Sequence, residues 1–369
     1  MQLFWGGMRT WPTLLALGWL AAAQTAGPEQ LFREAVAAQQ RGDDATAIRD
    51  YQELVRMRPD VLEVHANLGA VFSHAGRYDE AVEQYRIALA KDAKNFSLRL
   101  NLALAYYKKG AFAEAAKELE MLHTADARDV RVATLLGDCY VHLEQDGKAI
   151  VVLGPVQAAH SDDLGIAWLL GSALIRAGQN RPGLDMVEKV GKGGNSAEAY
   201  LLAGRAALKL NEFERARNDA DQAMRLNPQL PGLMTLRGMV LPYLGEEDKA
   251  IDALRQALVA DPNDFDAQLN LGAVLHTQRE LEESAQHLQR ALELQPNSQL
   301  ARYEWARLER TQGKLEAAAA DFEKVIQQDP SWPQPHVELS AIYFRLNRPQ
   351  DGERERDLFD KLSARQEKK

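Results

Sequence analysis

Between Phe265 and Leu294 the apolar residues fall into two helical series separated by a polar turn. Leu269, Leu271, Val274 and Leu275 recur on one helix face, and Leu281, Ala285, Leu288, Ala291 and Leu292 do so again. The Asp261-Pro262-Asn263-Asp264 stretch ahead of the first series offers side chains that cap a helix start. Pro296 closes the second series, because proline disfavours helix in the residue before it. The pattern predicts helix, short turn, helix and a proline-marked turn. No long run alternates in the manner of a strand, so the predicted fold class is all-α.

The unit repeats. Pro228, Pro262, Pro296 and Pro330 sit 34 residues apart, and glycines keep the same beat at Gly42, Gly76 and Gly110, at Gly137 and Gly171, and at Gly204, Gly238 and Gly272. A fixed period of this size means a row of similar units, each too small to bury its own apolar face. The register places ten units, starting near Pro28, Leu62, Phe96, Val130, Leu164, Ala197, Pro231, Phe265, Gln299 and Pro333. One step, from Leu164 to Ala197, is 33 residues, and it contains Gly191-Lys192-Gly193-Gly194-Asn195 without a terminal proline. The organisation expected is five units over 24–190, a glycine-rich irregular turn over 191–196, five units over 197–365 ending in a polar capping helix, and a frayed tail at 366–369. The irregular turn reads as a loose connection or as a hinge. Gly272 with Ala285 or Ala291 removes bulk where paired helices approach, and Gly76, Gly110, Gly178, Gly245 and Gly313 allow positive φ after a helix end. Pro242 bends or ends a first helix.

Leu68-Gly69 followed by Phe72, Leu136-Gly137 by Tyr140, Leu170-Gly171 by Leu174 and Leu271-Gly272 by Leu275, with Ala47 and Tyr51, Ala81 and Tyr85, and Ala318 and Phe322, resemble the tetratricopeptide repeat family. The resemblance implies a right-handed superhelical solenoid whose first helices line a concave groove. Carried onto this register, the groove would present Asn67, Leu100, Asn101, Leu104, Tyr107, Asp138, Trp168 and Ile175, then Leu201, Arg205, Leu208, Met239, Tyr243, Tyr303 and Arg307. Thr134, Ser172 and Thr235 belong to the same stripe. Such a lining suits an extended or helical peptide. The lysine, arginine and asparagine clamp by which some members hold acidic chaperone tails is missing, already broken by Phe32 and Val36. An asparagine ladder of the sugar-transferase branch has counterparts only at Asn67, Asn101 and Asn270.

Residues 1–23 stand apart from the repeats. Arg9, a short apolar core from Leu14 to Leu20 and the small residues Ala21-Ala22-Ala23 make a secretory signal peptide, with Met8 as a second possible start; a short cap helix is the alternative. The apolar stretch is shorter than the ~20 residues a membrane span needs. The expectation is an exported protein, periplasmic or secreted, with no span in the mature chain. The formal net charge is −9, which argues against nucleic acid as a partner. The lone Cys139 excludes an intramolecular disulfide and reads as a buried small hydrophobe. The eight histidines show no metal-ligand spacing and read as solvated or groove-lining, no Gly-x-Ser-x-Gly turn occurs, and the glycines at 191–194 lack the ending of a phosphate loop. No cofactor, metal or catalytic residue is expected. The reading is a non-enzymatic scaffold binding a protein or peptide in the groove. Its rivals are a structural subunit using the convex face or the solenoid ends, and an enzyme with a site inside the superhelix.

Overall fold

The computed structural model describes residues 27–366 and contains only helices and turns among them. The chain forms two compact units that part between Gly194 and Asn195. In the first, helices run in five pairs: α1 (Pro28–Gln40) and α2 (Asp44–Met57), α3 (Leu62–His74) and α4 (Tyr78–Lys91), α5 (Phe96–Lys109) and α6 (Phe112–Ala125), α7 (Val130–His142) and α8 (Asp146–Ala159), α9 (Leu164–Arg176) and α10 (Asn180–Gly194). The second holds α11 (Ala197–Lys209) and α12 (Phe213–Leu226), α13 (Leu233–Val240) and α14 (Glu247–Ala260), α15 (Phe265–Thr277) and α16 (Leu281–Leu294), α17 (Gln299–Thr311) and α18 (Leu315–Gln328), α19 (Pro333–Arg345) and α20 (Pro349–Gln366). The expected signal peptide, and the tail beyond Gln366, lie outside the described residues.

Each pair is built on one close contact. The eighth residue of the unit is Ala35, Gly69, Ala103, Gly137, Gly171, Gly204, Gly238, Gly272, Ala306 or Ser340, and every one is buried. Facing it, the fourth residue of the second helix is Ala47, Ala81, Ala115, Ala149, Gly183, Ala216, Ala250, Ser284, Ala318 or Gly352, also buried. A methyl group on Gly137 would stand 2.4 Å from Leu153, and one on Gly272 would stand 2.6 Å from Leu288. The two serines fit because their hydroxyls are consumed locally: Ser284 Oγ donates to the Gly272 carbonyl at 2.7 Å and Ser340 Oγ to that of Gly352 at 2.8 Å. The small residue opposite Gly272 is therefore Ser284, not Ala285, which is only half-buried.

The turn within each pair passes through one left-handed residue. It is Gly42, Gly76, Gly110, Gly178, Gly245 or Gly313 in six pairs, and Glu144, Asn211, Arg279 or Asn347 in the others. First helices start at polar caps, as where Asp264 accepts from the Ala267 amide at 3.0 Å and Asp129 from Val132 at 3.2 Å.

A polar residue near the start of five first helices fastens the turn that precedes it. Arg302 donates to the Pro296 carbonyl at 3.0 Å and to Asp321 at 3.1 Å; Gln268 donates to Pro262 at 3.0 Å and meets His287 at 2.7 Å. His65 spans the Pro59 carbonyl at 3.0 Å and Gln84 at 2.7 Å, while Arg99 reaches Ala93 at 2.6 Å and pairs with Glu118. His336 faces the Pro330 carbonyl at 3.3 Å and the buried Glu355 at 2.7 Å. In all five, one side chain ties the carbonyl six residues back to the helix nineteen residues ahead.

Three local expectations are corrected. The glycines at 191–194 are not a turn: α10 continues through Gly194, and only Asn195 and Ser196 separate it from α11. No proline stops the helix, and the bare Cα of Gly193 lets its last turn approach Leu164, whose Cδ1 lies 3.0 Å from where a Cβ would stand. A helix one residue longer with a connection two residues shorter yields the 33-residue step. The seventh unit begins its helix at Leu233 rather than Pro231, since Gly232 is left-handed at φ 78° and lies against Arg205. Pro242 ends that helix at Val240, and the chain finishes the element as a 3₁₀ turn over Leu241–Leu244.

Gly137→Ala is expected to destabilise the protein by about 1–3 kcal/mol, the usual range for overpacking a filled core. Gly147→Ala, where nothing lies within 4 Å of the added methyl, should be neutral or stabilising. Urea unfolding of the two variants measures the difference, and equal midpoints would refute the close-contact account.

Candidate partner-binding surface

In the first unit the residues five, nine and twelve places into each first helix share one helix face, by the helical repeat. On α5 these are Leu100, Leu104 and Tyr107, all half-buried, and on α9 Trp168 is half-buried too. Asn67 on α3 and Asn101 on α5 flank the stripe, Asn67 bonding the Tyr51 hydroxyl. Tyr107 and Asp138 are brought together: the phenol donates to the carboxylate, and His142 Nε2 lies 3.6 Å from its other oxygen. Phe112 stacks flat on His142 with ring centres 4.1 Å apart. Burial, reinforced by the Asp138 carboxylate, pushes the Tyr107 hydroxyl well above its ordinary pKa, so it serves as a donor.

Ile175 does not line a surface. It is buried against Gly183, where its Cγ1 occupies the space a Cβ would need, and α9 is apolar on nearly every side. Ser172 is likewise buried, its hydroxyl donating to the Leu169 carbonyl at 3.0 Å. Cys139 is fully buried, and burial followed by the Asp138 charge pushes its thiol up to about 12.

In the second unit Leu201, Leu208 and Met239 are half-buried and Arg205 is exposed. Thr235 is buried and donates to Asp264 at 2.6 Å. Tyr243, carried by the 3₁₀ turn after Pro242, is 63% exposed and stacks on Phe213 at 4.2 Å. Asn211, Glu212, Glu214, Arg215 and Leu244 border an open hollow of about 410 Å³ beside Phe213. Tyr303 packs on Trp332 with ring centres 4.7 Å apart, and the Arg307 guanidinium sits 5.8 Å over Tyr303 while bonding Glu304 at 2.8 Å.

Several histidines expected to be solvated are buried instead. His65, His276 and His336 each make hydrogen bonds inside the protein, and His276 and His287 do not meet. His276 Nε2 meets Thr311 Oγ1 at 2.7 Å, and that hydroxyl donates to the Arg307 carbonyl at 3.0 Å, so the imidazole is the donor to threonine. Burial first, then the positive charges of Arg307, Arg279 and Arg310, pull its pKa down to about 4. This cluster was legible only as period: Thr311 and Arg310 stand 34 and 34 residues after Thr277 and His276. Among the described residues no group of His, Cys, Asp or Glu could hold a metal ion, and no helix is long and apolar enough to cross a membrane.

Profiles of the tetratricopeptide repeat match residues 32–96 and 235–299, 74–139, and 197–230, together more than half of the chain. No curated protein matches the sequence. Among solved structures, a chain of the APC/C hetero-tetramer Cut9-Hcn1 is similar at a TM-score of 0.55 and 14% identity, over 92% of this chain and 88% of that one. A tetratricopeptide repeat protein from Parabacteroides merdae aligns at 0.46 and 17%, over 67% of this chain and 98% of its own. MamA MSR-1 C2 aligns at 0.42 and 24%, over 46% and 97%. At 14% identity the Cut9-Hcn1 likeness bears on fold alone.

The His276 environment gives a pH dependence. Its folded pKa lies below the unfolded value, so above about 6.5 it has no effect, and stability falls as the pH drops from 6.5 towards 4. The loss approaches roughly 3 kcal/mol from this residue alone. His276→Gln is expected to flatten that part of a stability-versus-pH curve; an unchanged slope would refute it. Buried Glu309 is shifted the other way, by burial and then by the Asp321 charge, and one of its oxygens has no hydrogen-bond partner. Glu309→Gln should therefore raise the melting temperature at pH 7, by about 2 °C or more for a relief near 1 kcal/mol.

Proposed function

Because the chain belongs to the tetratricopeptide repeat family, whose fold is typical of protein–protein interaction scaffolds, we propose that it is a non-catalytic scaffold holding a peptide segment of another protein along its first helices. The carrying observation is the half-covered stripe of Leu100, Leu104, Tyr107 and Trp168 in the first unit. Apolar and aromatic side chains held at helix spacing, with Asn101 and Asp138 among them, suit a peptide that buries alternate side chains and hydrogen-bonds between them. Leu201, Leu208 and Met239, beside the exposed Arg205, continue the same kind of lining within the second unit. The leader composition supports an exported protein, acting in the periplasm or outside the cell, where its partner would also reside.

A photo-crosslinking amino acid placed at Leu104, Trp168 or Leu201 tests this in the native host. Val151 and Val259, 73% and 86% exposed on second helices, serve as controls. The expected result is one polypeptide captured from the first-helix positions and not from the controls. Capture from Val151 or Val259 alone would move the interface to the second helices and overturn the groove reading. Trp168→Asp, in a protein of unchanged helicity, should weaken the captured partner's affinity by at least roughly tenfold, as loss of an aromatic anchor does.

A further inference from the structure

The helix α20 is attached differently from the second helix before it. In α18 the buried side chains are Ala318, Ala319, Phe322 and Val325, all apolar. Among the described residues of α20 only Gly352 and Glu355 are buried, so the one buried side chain of that helix is a carboxylate. Phe359 and Leu362 are half-buried and Leu358 is exposed. How α20 is held therefore turns on what Glu355 bonds.

Its partner is the buried His336 of α19. The imidazole Nδ1 lies 2.7 Å from Glu355 Oε2, and Nε2 lies 3.3 Å from the Pro330 carbonyl oxygen. Both ring nitrogens thus face oxygen. A neutral imidazole has a single N–H, so it donates to one of them and turns a lone pair towards the other. Two hydrogens satisfy the site, one between Nδ1 and the carboxylate and one on Nε2. Elsewhere in the chain the same pair of bonds is made without a histidine: Arg99 and Arg302 each donate to the turn carbonyl and to an acid, and arginine keeps its charge at any ordinary pH. His65 spans the Pro59 carbonyl and Gln84, an amide whose NH2 can serve as donor to the ring, so one imidazole hydrogen suffices there. Of the five fasteners, only that at His336 pairs a histidine with a carboxylate across the two helices.

The charged groups around the pair are engaged with one another. Arg354 Nε lies 3.2 Å from the other Glu355 oxygen, and Asp351 lies 3.3 Å from the same guanidinium. Arg348 bonds Asp351 and covers Tyr343, whose hydroxyl donates to Glu323 of α18. On α17 Arg310 meets Glu338, and in the turn before α19 Asp329 is held by Ser331. None of them bonds His336.

We propose that the His336–Glu355 pair is a proton-dependent latch for α20. With two hydrogens in the site both bonds are made and the helix is held. As the pH rises through the range in which histidine titrates, one proton leaves to solvent, a lone pair is left against a buried oxygen, and α20 is released from α19. The folded chain binds one proton more at this site than the unfolded chain does, so the attachment weakens as the pH rises, opposite in sign to the effect of His276. The latch does not depend on the first-helix stripe of the preceding subsection.

Amide hydrogen exchange of the full chain, followed from about pH 5 to about pH 8 and divided by the intrinsic exchange rates, reads the attachment of α20. Protection of the α20 amides is expected to fall by at least roughly tenfold over that range, while protection of α18, fastened by Arg302, does not fall. Glu355→Gln, which reproduces the His65–Gln84 arrangement, and His336→Arg, which reproduces that of Arg302 and Asp321, should each remove the fall. A flat profile in the unaltered chain overturns the proposal without recourse to any variant. A fall that persists in Glu355→Gln, or one shared equally by α18, also overturns it.

Discussion

Everything in this protein hangs on how closely two helix backbones approach within a pair. At that contact there is no room for a side chain beyond Cβ or Oγ, so Gly, Ala or Ser stands on both helices in all ten pairs. A large residue such as Leu153, Leu254 or Leu288 then fills the space left over the bare Cα. Packing of this density transmits any misfit directly: a methyl at Gly137 would meet Leu153 at 2.4 Å, whereas one at Gly147 would meet nothing within 4 Å.

The pairs need further fastening because each covers only part of its neighbour's apolar face. Two devices supply it. The side chains of His65, Arg99, Gln268, Arg302 and His336 hold the connecting turns to their own pair. Contacts at a spacing of 30 residues then join one pair to the next: His74 with Asp44, Arg176 with Asp146, and the stacked rings of Phe112 with His142 and Phe213 with Tyr243. The chemistry of these fasteners varies while the geometry repeats, since a salt bridge, a hydrogen bond or a ring stack satisfies the same spacing. Exposed ion pairs among them contribute little individually, so the buried members carry more of the stability.

That arrangement spends several buried polar groups on structure. His276 bonds Thr311, Arg307 bonds Glu304, and Arg310 meets Glu338. What is left partly open is the apolar stripe of the first helices, Leu100, Leu104, Tyr107 and Trp168 in the first unit and Leu201, Leu208 and Met239 in the second. The reading as a binding scaffold rests on this division of labour within the side chains.

The helix-turn-helix order, the period and nearly every helix start are written locally, in proline, glycine and apolar spacing. They were legible because each depends on residues within one unit: Phe265, Gln299 and Pro333 begin helices where the register put them. The tertiary structure decided what depends on residues far apart in sequence. Ile175 shares its pattern with Leu208 yet is buried, because Gly183 on the paired helix lets it sink inward. Residues 191–194 have the composition of a loop yet stay helical, with the bare Cα of Gly193 leaving room for Leu164. His276 looked like a surface histidine until three arginines and Thr311 closed around it. A repeat pattern tells which helix face turns inward; how far a neighbouring pair covers that face, and hence what remains for a partner, is set only when the pairs are packed.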